Sequence, residues 1–250
     1  APSATAGSRS VRVHVAFTPG EVSGDRFQSC AIAVIDVLRA ATTVATAIAN
    51  GARLIIPVLT LDDARDRAAR FAAGEVLMGG ERNGEPISGF DLDNSPLAYT
   101  RERVGGKVVV LTTSNGTGAL VAASRAAAGA VCAFVNVGEV ARWALAQGRD
   151  FAVICAGRSG DLSLEDTVCA GMLLDRIAEL GAPLEESDAA RAARILSASY
   201  RDRLGRLLDD STWARHLARA GRADDLAACL QVGTLRVVPV LKDGTISRLP

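Results

Sequence analysis

Four short apolar runs along the chain each end abruptly in a polar, glycine-rich loop. Residues 30–35 lead into Asp36, Arg39, Thr42 and Thr43. Residues 75–78 lead into the stretch 79–96, which carries Glu81, Arg82, Asn83, Asp91, Asn94 and Ser95. Residues 107–111 lead into Thr112, Thr113, Ser114, Asn115, Gly116 and Thr117. Residues 151–154 lead into Gly157, Arg158, Gly160, Glu165 and Asp166. Short apolar runs bounded by turn residues predict buried strands, and the Ala-rich stretches behind three of them predict helices over roughly 42–50, 117–128 and 163–180.

Strands alternating with helices predict an α/β fold, a layered helix–sheet–helix arrangement with mostly parallel strands. The order β-loop-α-β-α occurs twice, with Gly51-Ala52 and Ala64-Arg65 matched by Gly129-Ala130 and Ala141-Arg142. An internal duplication is therefore expected, with halves of about 11–105 and 106–250 in a single domain spanning 11–250. Residues 184–228 read as helical, with Ser187-Asp188 as a start and Gly205 and Gly221 as breaks. The strand-like 235–241 then meets a turn signal at Lys242-Asp-Gly-Thr245. Residues 1–10 are small and polar and are expected to be a flexible N-terminus, not a signal peptide.

Composition narrows the partners. The 250 residues are 49% apolar and carry 28 basic and 28 acidic side chains. That balance offers nothing for nucleic acid or an anionic membrane surface, so an anion site must be built locally. No run of eighteen apolar residues exists, so no membrane span is expected. Five cysteines without a CxxC pair read as buried thiols of a reducing compartment, which makes the protein cytoplasmic. A homodimer is the expectation from base rates alone.

The loops offer two kinds of chemistry. Backbone N–H groups and hydroxyls at helix starts (Thr42, Thr43, Thr113, Asn115, Gly116 and Thr117) suit an oxyanion, although the same residues serve as caps. Arg39, Arg82 and Arg158 sit at strand-to-loop junctions, where a guanidinium can fork onto an anion. Asp36 ends an apolar strand and needs a metal ion or an arginine to be tolerated there. Glu81 and Asp91 are hard-oxygen candidates for Mg2+. Asp166 reads equally as a capping residue behind Ser163, and Glu165 is free to act as a base. The two histidines, His14 and His216, read as structural. No phosphate-loop, dinucleotide or nucleophile-elbow motif is present. The residues thus define a site for a small polyanionic phosphorylated metabolite and leave enzyme and non-catalytic binder open.

At these same loops the chain resembles the 2-phosphosulfolactate phosphatase family of the coenzyme M pathway. The matching pieces are Asp36-Val-Leu-Arg-Ala-Ala-Thr-Thr43, Gly79-Gly-Glu-Arg-Asn-Gly84, Gly89-Phe-Asp91, Asn94-Ser-Pro96, Thr112-Thr-Ser-Asn-Gly-Thr117, and Cys155-Ala-Gly157 with Ser163-Leu-Glu-Asp166. Asp225, Cys229 and Val238-Pro239 also resemble family positions. Ala41, Ser114 and Asp93 depart from the family pattern. The resemblance implies an Mg2+-dependent hydrolase that converts 2-phospho-3-sulfolactate to 3-sulfolactate and phosphate, with a related 2-phospho-hydroxyacid as the alternative substrate.

On that basis Asp36, Glu81 and Asp166 are the expected Mg2+ ligands, directly or through water. Arg39, Thr42, Thr43, Arg82, Asn83, Asn94, Ser95, Thr113, Asn115, Gly116, Thr117, Gly157 and Arg158 are the expected substrate contacts. Glu165 is the expected general base for attack by water; the rival route makes Asp36 a nucleophile.

Overall fold

The computed structural model describes residues 10–22, 27–124 and 126–249. The expected flexible N-terminus lies outside them except for Ser10. The first elements are β1 (Val11–Ala16), β2 (Ala31–Ile35), α1 (Ala40–Ala49), β3 (Leu54–Pro57) and α2 (Leu61–Ala68). Next come β4 (Val76–Arg82), β5 (Glu85–Pro86), α3 (Arg101–Val104), β6 (Val108–Thr112), α4 (Gly116–Ala123), β7 (Ala128–Cys132) and α5 (Val137–Ala146). They are followed by β8 (Phe151–Cys155), α6 (Leu164–Glu179), β9 (Leu184–Glu186) and α7 (Asp188–Tyr200). The chain closes with α8 (Leu207–Asp210), α9 (Thr212–Arg219), α10 (Ala223–Cys229), β10 (Pro239–Lys242) and β11 (Thr245–Arg248).

The strands form one sheet in the order β5-β4-β6-β3-β11-β10-β7-β2-β8-β1-β9. Six of its ten pairings are parallel, so the α/β, mostly parallel expectation holds. Strand β2 pairs with β7 on one side and β8 on the other, and all five of its residues are buried. That is why its sequence is a continuous apolar run instead of an alternating one. Ala31, Ala33 and Ile35 face the layer of α5, α6, α7 and α9. Ile32 and Val34 face α1 and α4. Each fully buried Ile or Val side chain contributes about 1.5–3 kcal/mol of burial, so both faces are anchored.

The β10–β11 hairpin, predicted by the Lys242–Thr245 turn, pairs antiparallel with β7 on one edge and β3 on the other. Strands β2 and β6 therefore run in opposite senses. Sheet twist of roughly 20–25° per step accumulates over the intervening strands and turns their carboxyl ends toward each other. The loops after β2 and β6 meet: a Cβ placed on Gly116 would stand 2.5 Å from Asp36 Oδ2. The two loops converge although the sheet edge is not uniformly parallel.

Helix α4 ends at Ala123, short of the expected 128. Residues 128–132 pair instead with the whole of β2, and sheet pairing overrides the helix propensity of alanine there. The β-α-β-α order recurs as β2-α1-β3-α2 and β6-α4-β7-α5, but a shared order of elements does not establish a duplication. Among the described residues no helix is long and apolar enough to cross a membrane. All five cysteines are buried and none forms a disulfide among the described residues, as expected.

Candidate active site

Asp36 leaves the end of β2 and turns back over the first turn of α1, where its Oδ1 accepts the Ala40 N–H at 3.3 Å. It is 9% exposed. Burial, then the charges of Glu81 and Glu165, push its carboxyl up to about 7, against the Ala40 N–H and the Arg39 charge. Behind it stands Asp166 at the start of α6. Its Oδ1 accepts the Val37 N–H at 2.8 Å and its Oδ2 the Gly157 N–H at 3.3 Å. Ser163 Oγ accepts the Asp166 N–H at 3.3 Å and so caps α6, whereas the Asp166 carboxylate itself serves Val37 and Gly157. Asp166 also staples the loops after β2 and β8 together. Burial and the Asp36 charge hold its carboxyl well above the ordinary range.

Glu81 reaches the same place from β4. Its Oε1 accepts the Ser114 N–H and its Oε2 the Gly84 N–H, both at 2.6 Å. Asn94 is buried, and its Oδ1 has no hydrogen-bond partner. An orphaned polar atom at such depth costs free energy unless something binds it. Asp36, Glu81 and Asn94, together with Arg39, Asn115 and Trp213, line a space of about 10 Å³. That is room for about one water-sized occupant.

A larger cavity of about 390 Å³ shares Asn115 and Trp213 as walls. Asn83, Ser114, Arg158 and His216 also line it. The Arg158 guanidinium lies 4.3 Å over the Trp213 ring. Trp213 Nε1 donates to Leu38 O at 2.8 Å, and its ring stacks on His216 at 4.8 Å and 8°.

Not every expected residue faces these spaces. Arg39 borders the smaller space but is committed to Asp225 and also donates to Gly84 O. Arg82 donates to Glu81 O, Leu59 O and Thr112 Oγ1, and so ties backbone together. The Thr42 and Thr43 hydroxyls donate to Val37 O and Asn94 O. Thr113 and Thr117 are bonded to each other. Ser95 Oγ donates to Asp225 Oδ1, and Asp91 accepts the Met78 N–H. These residues shape the site more than they line it. Gly157, with φ 62, is held by Asp166. Asn115 accepts from the Ser159 N–H, which leaves its amide NH2 as a donor. Glu165 is 3% exposed, its carboxylate makes no hydrogen bond to the described residues, and it lines neither space.

The sequence does not single out Trp213, and it reads His216 as structural. They lie three apart on α9 and so share one helix face. A Trp and a His at that spacing were the available signal. His216 is not a structural histidine of the core, because its ring lies exposed at the cavity wall.

The donors suit a hard cation. Among the described residues no three His, Cys, Asp or Glu side chains are gathered around one point. Two carboxylates, the orphaned Asn94 Oδ1 and water make a donor set that Mg2+ accepts, since it keeps several waters and takes one or two carboxylates. Asp166, which does not line this space, stands behind the set.

A family model described as 2-phosphosulpholactate phosphatase matches residues 16–244. A relative from Symbiobacterium thermophilum is 42% identical over 213 residues, 85% of this chain and 91% of its own. One from Gloeobacter violaceus is 39% identical over 230 residues, 92% of this chain and 94% of its own. One from Caldanaerobacter subterraneus is 35% identical over 215 residues, 86% of this chain and 89% of its own. Each of the three bears the name probable 2-phosphosulfolactate phosphatase.

Proposed function

Because this chain belongs to the 2-phosphosulpholactate phosphatase family, hydrolases of phosphoric monoesters, we propose that it cleaves 2-phospho-3-sulfolactate to 3-sulfolactate and phosphate with Mg2+ as cofactor. The observation that carries the reading is the unpartnered Asn94 Oδ1 beside Asp36 and Glu81, in a space that shares its walls with a cavity holding an unpaired guanidinium.

Asp36, Glu81 and Asn94 would hold the cation. Bound there, Mg2+ supplies polarisation of the phosphoryl group and orientation of water. Asn115 and the first turn of α4 meet the phosphate at the boundary of the two spaces, where N–H donors and the helix dipole favour an anion. Arg39 keeps its charge close by but is neutralised by Asp225, so it supports the wall instead of reaching substrate. Glu165, buried and with no hydrogen bond to its carboxylate among the described residues, would be the group that takes a proton from the attacking water. Asp166 fixes the Asp36 loop through the Val37 N–H.

The test is phosphate release from 2-phospho-3-sulfolactate, 2-phospholactate and phosphoglycolate, with Mg2+ and then with excess chelator. Mg2+-dependent release that favours the sulfonate ester bears the proposal out. Release from phospholactate alone keeps the phosphatase and changes the substrate. Tight binding with no release from any ester overturns it in favour of a binder.

A further inference from the structure

We propose that Arg158, Trp213 and His216 form a subsite for the sulfonate of the substrate and that α9 thereby sets which 3-substituent the enzyme accepts; this rests on the phosphatase reading above. Trp213 and Asn115 border both spaces, whereas Arg158 and His216 border only the larger one. A phosphate placed beside the carboxylates therefore lies at the Asn115 boundary, and whatever extends from it points toward Arg158 and His216. The cavity, at about 390 Å³, is far larger than a phosphate needs.

The wall has the chemistry of a sulfonate site. No ion pair or hydrogen bond engages the Arg158 guanidinium among the described residues, so its five donors are free. Stacking on the indole fixes the guanidinium in place before a ligand arrives, which lowers the ordering cost of binding. The indole is itself fixed by its bond to Leu38 O and by the His216 ring on its face. A sulfonate spreads one charge over three oxygens and is a weak acceptor, so it pairs best with a weakly hydrated, diffuse cation such as guanidinium. The ring N–H of His216 and the free NH2 of Asn115 add donors from other directions. No carboxylate lines this cavity, which separates it from the space that suits a metal ion.

Sulfonate and carboxylate can be told apart experimentally, because 2-phospholactate keeps the phosphate and carboxylate and lacks only the sulfonate. In Arg158→Gln and His216→Ala, kcat/KM for the sulfonate ester should fall at least tenfold more than kcat/KM for phospholactate. Equal losses on both esters would overturn the subsite and make the pair part of phosphate binding or of folding. Trp213 gives a second readout that needs no turnover. Titration with 3-sulfolactate should change the indole emission of the wild type, lactate should not, and Arg158→Gln should weaken the response about tenfold, with Trp213→Phe isolating the signal of the buried Trp143. An indole that ignores 3-sulfolactate would sink the idea. If neither ester is turned over, the phosphatase reading has failed, and the fluorescence titration still decides whether the sulfonate subsite exists.

Discussion

Arg39 and Asp225, 186 residues apart in the sequence, form a buried ion pair with Nη1–Oδ2 at 2.5 Å. The pair fastens α10 to the loop that carries Asp36, and Ser95 Oγ closes the other side of the Asp225 carboxylate. Helix α10 is thus bolted to the site through charge, while α9 is tied to the same loop by the Trp213 Nε1–Leu38 O bond.

Removing one partner leaves a guanidinium buried without its counter-charge, at a cost of about 3–5 kcal/mol. Asp225→Ala should therefore lower the unfolding free energy measured in urea by that amount and reduce kcat/KM as α9 loosens. Asp225→Asn, which keeps both hydrogen bonds possible, should fall between wild type and Ala. Equal stability of the Ala variant and wild type would show that water replaces the pair at no cost.

The Asp36 carboxyl, pushed from 3.8 up to about 7 chiefly by burial, couples stability to pH. Between these values the folded chain holds a proton that the unfolded chain has released, so stability falls as pH rises through the window. Chelator-treated protein should be more stable at pH 5 than at pH 8, and Mg2+ at pH 8 should restore the difference. Asp36→Asn should flatten the pH dependence, raise stability at pH 8, abolish the Mg2+ response and lower kcat by two orders of magnitude or more. Denaturation midpoints at the two pH values, with and without Mg2+, check this. A chelated wild type that gains stability toward pH 8 would contradict the buried placement of Asp36.

Gly116 and Gly118 on α4 give a matched pair. A Cβ on Gly116 would stand 2.5 Å from Asp36 Oδ2 and 2.7 Å from Ala40 Cβ, whereas one on Gly118 would meet nothing within 4 Å. Gly118→Ala should stabilise the helix by about 0.5–1 kcal/mol with activity intact. Gly116→Ala has the same propensity gain but must displace Asp36, so it should lose stability and at least tenfold in kcat. Paired thermal melts and initial rates read both; improvement of both variants would mean that the α4–Asp36 contact is loose.

Much of this site was legible because its residues cluster at the ends of apolar runs. Asp36, Glu81, Asn94, Asn115 and Arg158 could be found one loop at a time, and Ser163 announced the start of α6. What local pattern could not reveal was pairing across the chain. Arg39 and Arg82 looked alike as junction arginines, yet one meets Asp225 and the other backbone carbonyls. The opposite sense of β2 and β6 depends on a hairpin more than a hundred residues away, and nothing near Trp213 and His216 in the sequence shows that α9 lies beside Arg158.

Glu165 and Asp36 carry the two rival routes of the proposed reaction, and their hydrogen bonding differs. Asp36 Oδ1 is bonded to the Ala40 N–H and Oδ2 packs against Gly116, whereas Glu165 has both oxygens uncommitted. A base needs a free lone pair toward water, and a nucleophile needs one in line with phosphorus. Glu165→Gln should lower kcat by about 10²–10⁴ with KM little changed, the range that proton transfer supplies. Direct displacement by water inverts configuration at phosphorus, while an aspartyl-phosphate passed through two displacements retains it. Hydrolysis of an ester made chiral at phosphorus with oxygen isotopes should therefore give inverted phosphate. Retention, together with a phosphoenzyme trapped by acid quench and lost in Asp36→Asn, would transfer the chemistry to Asp36 and leave Glu165 as the base for the second step.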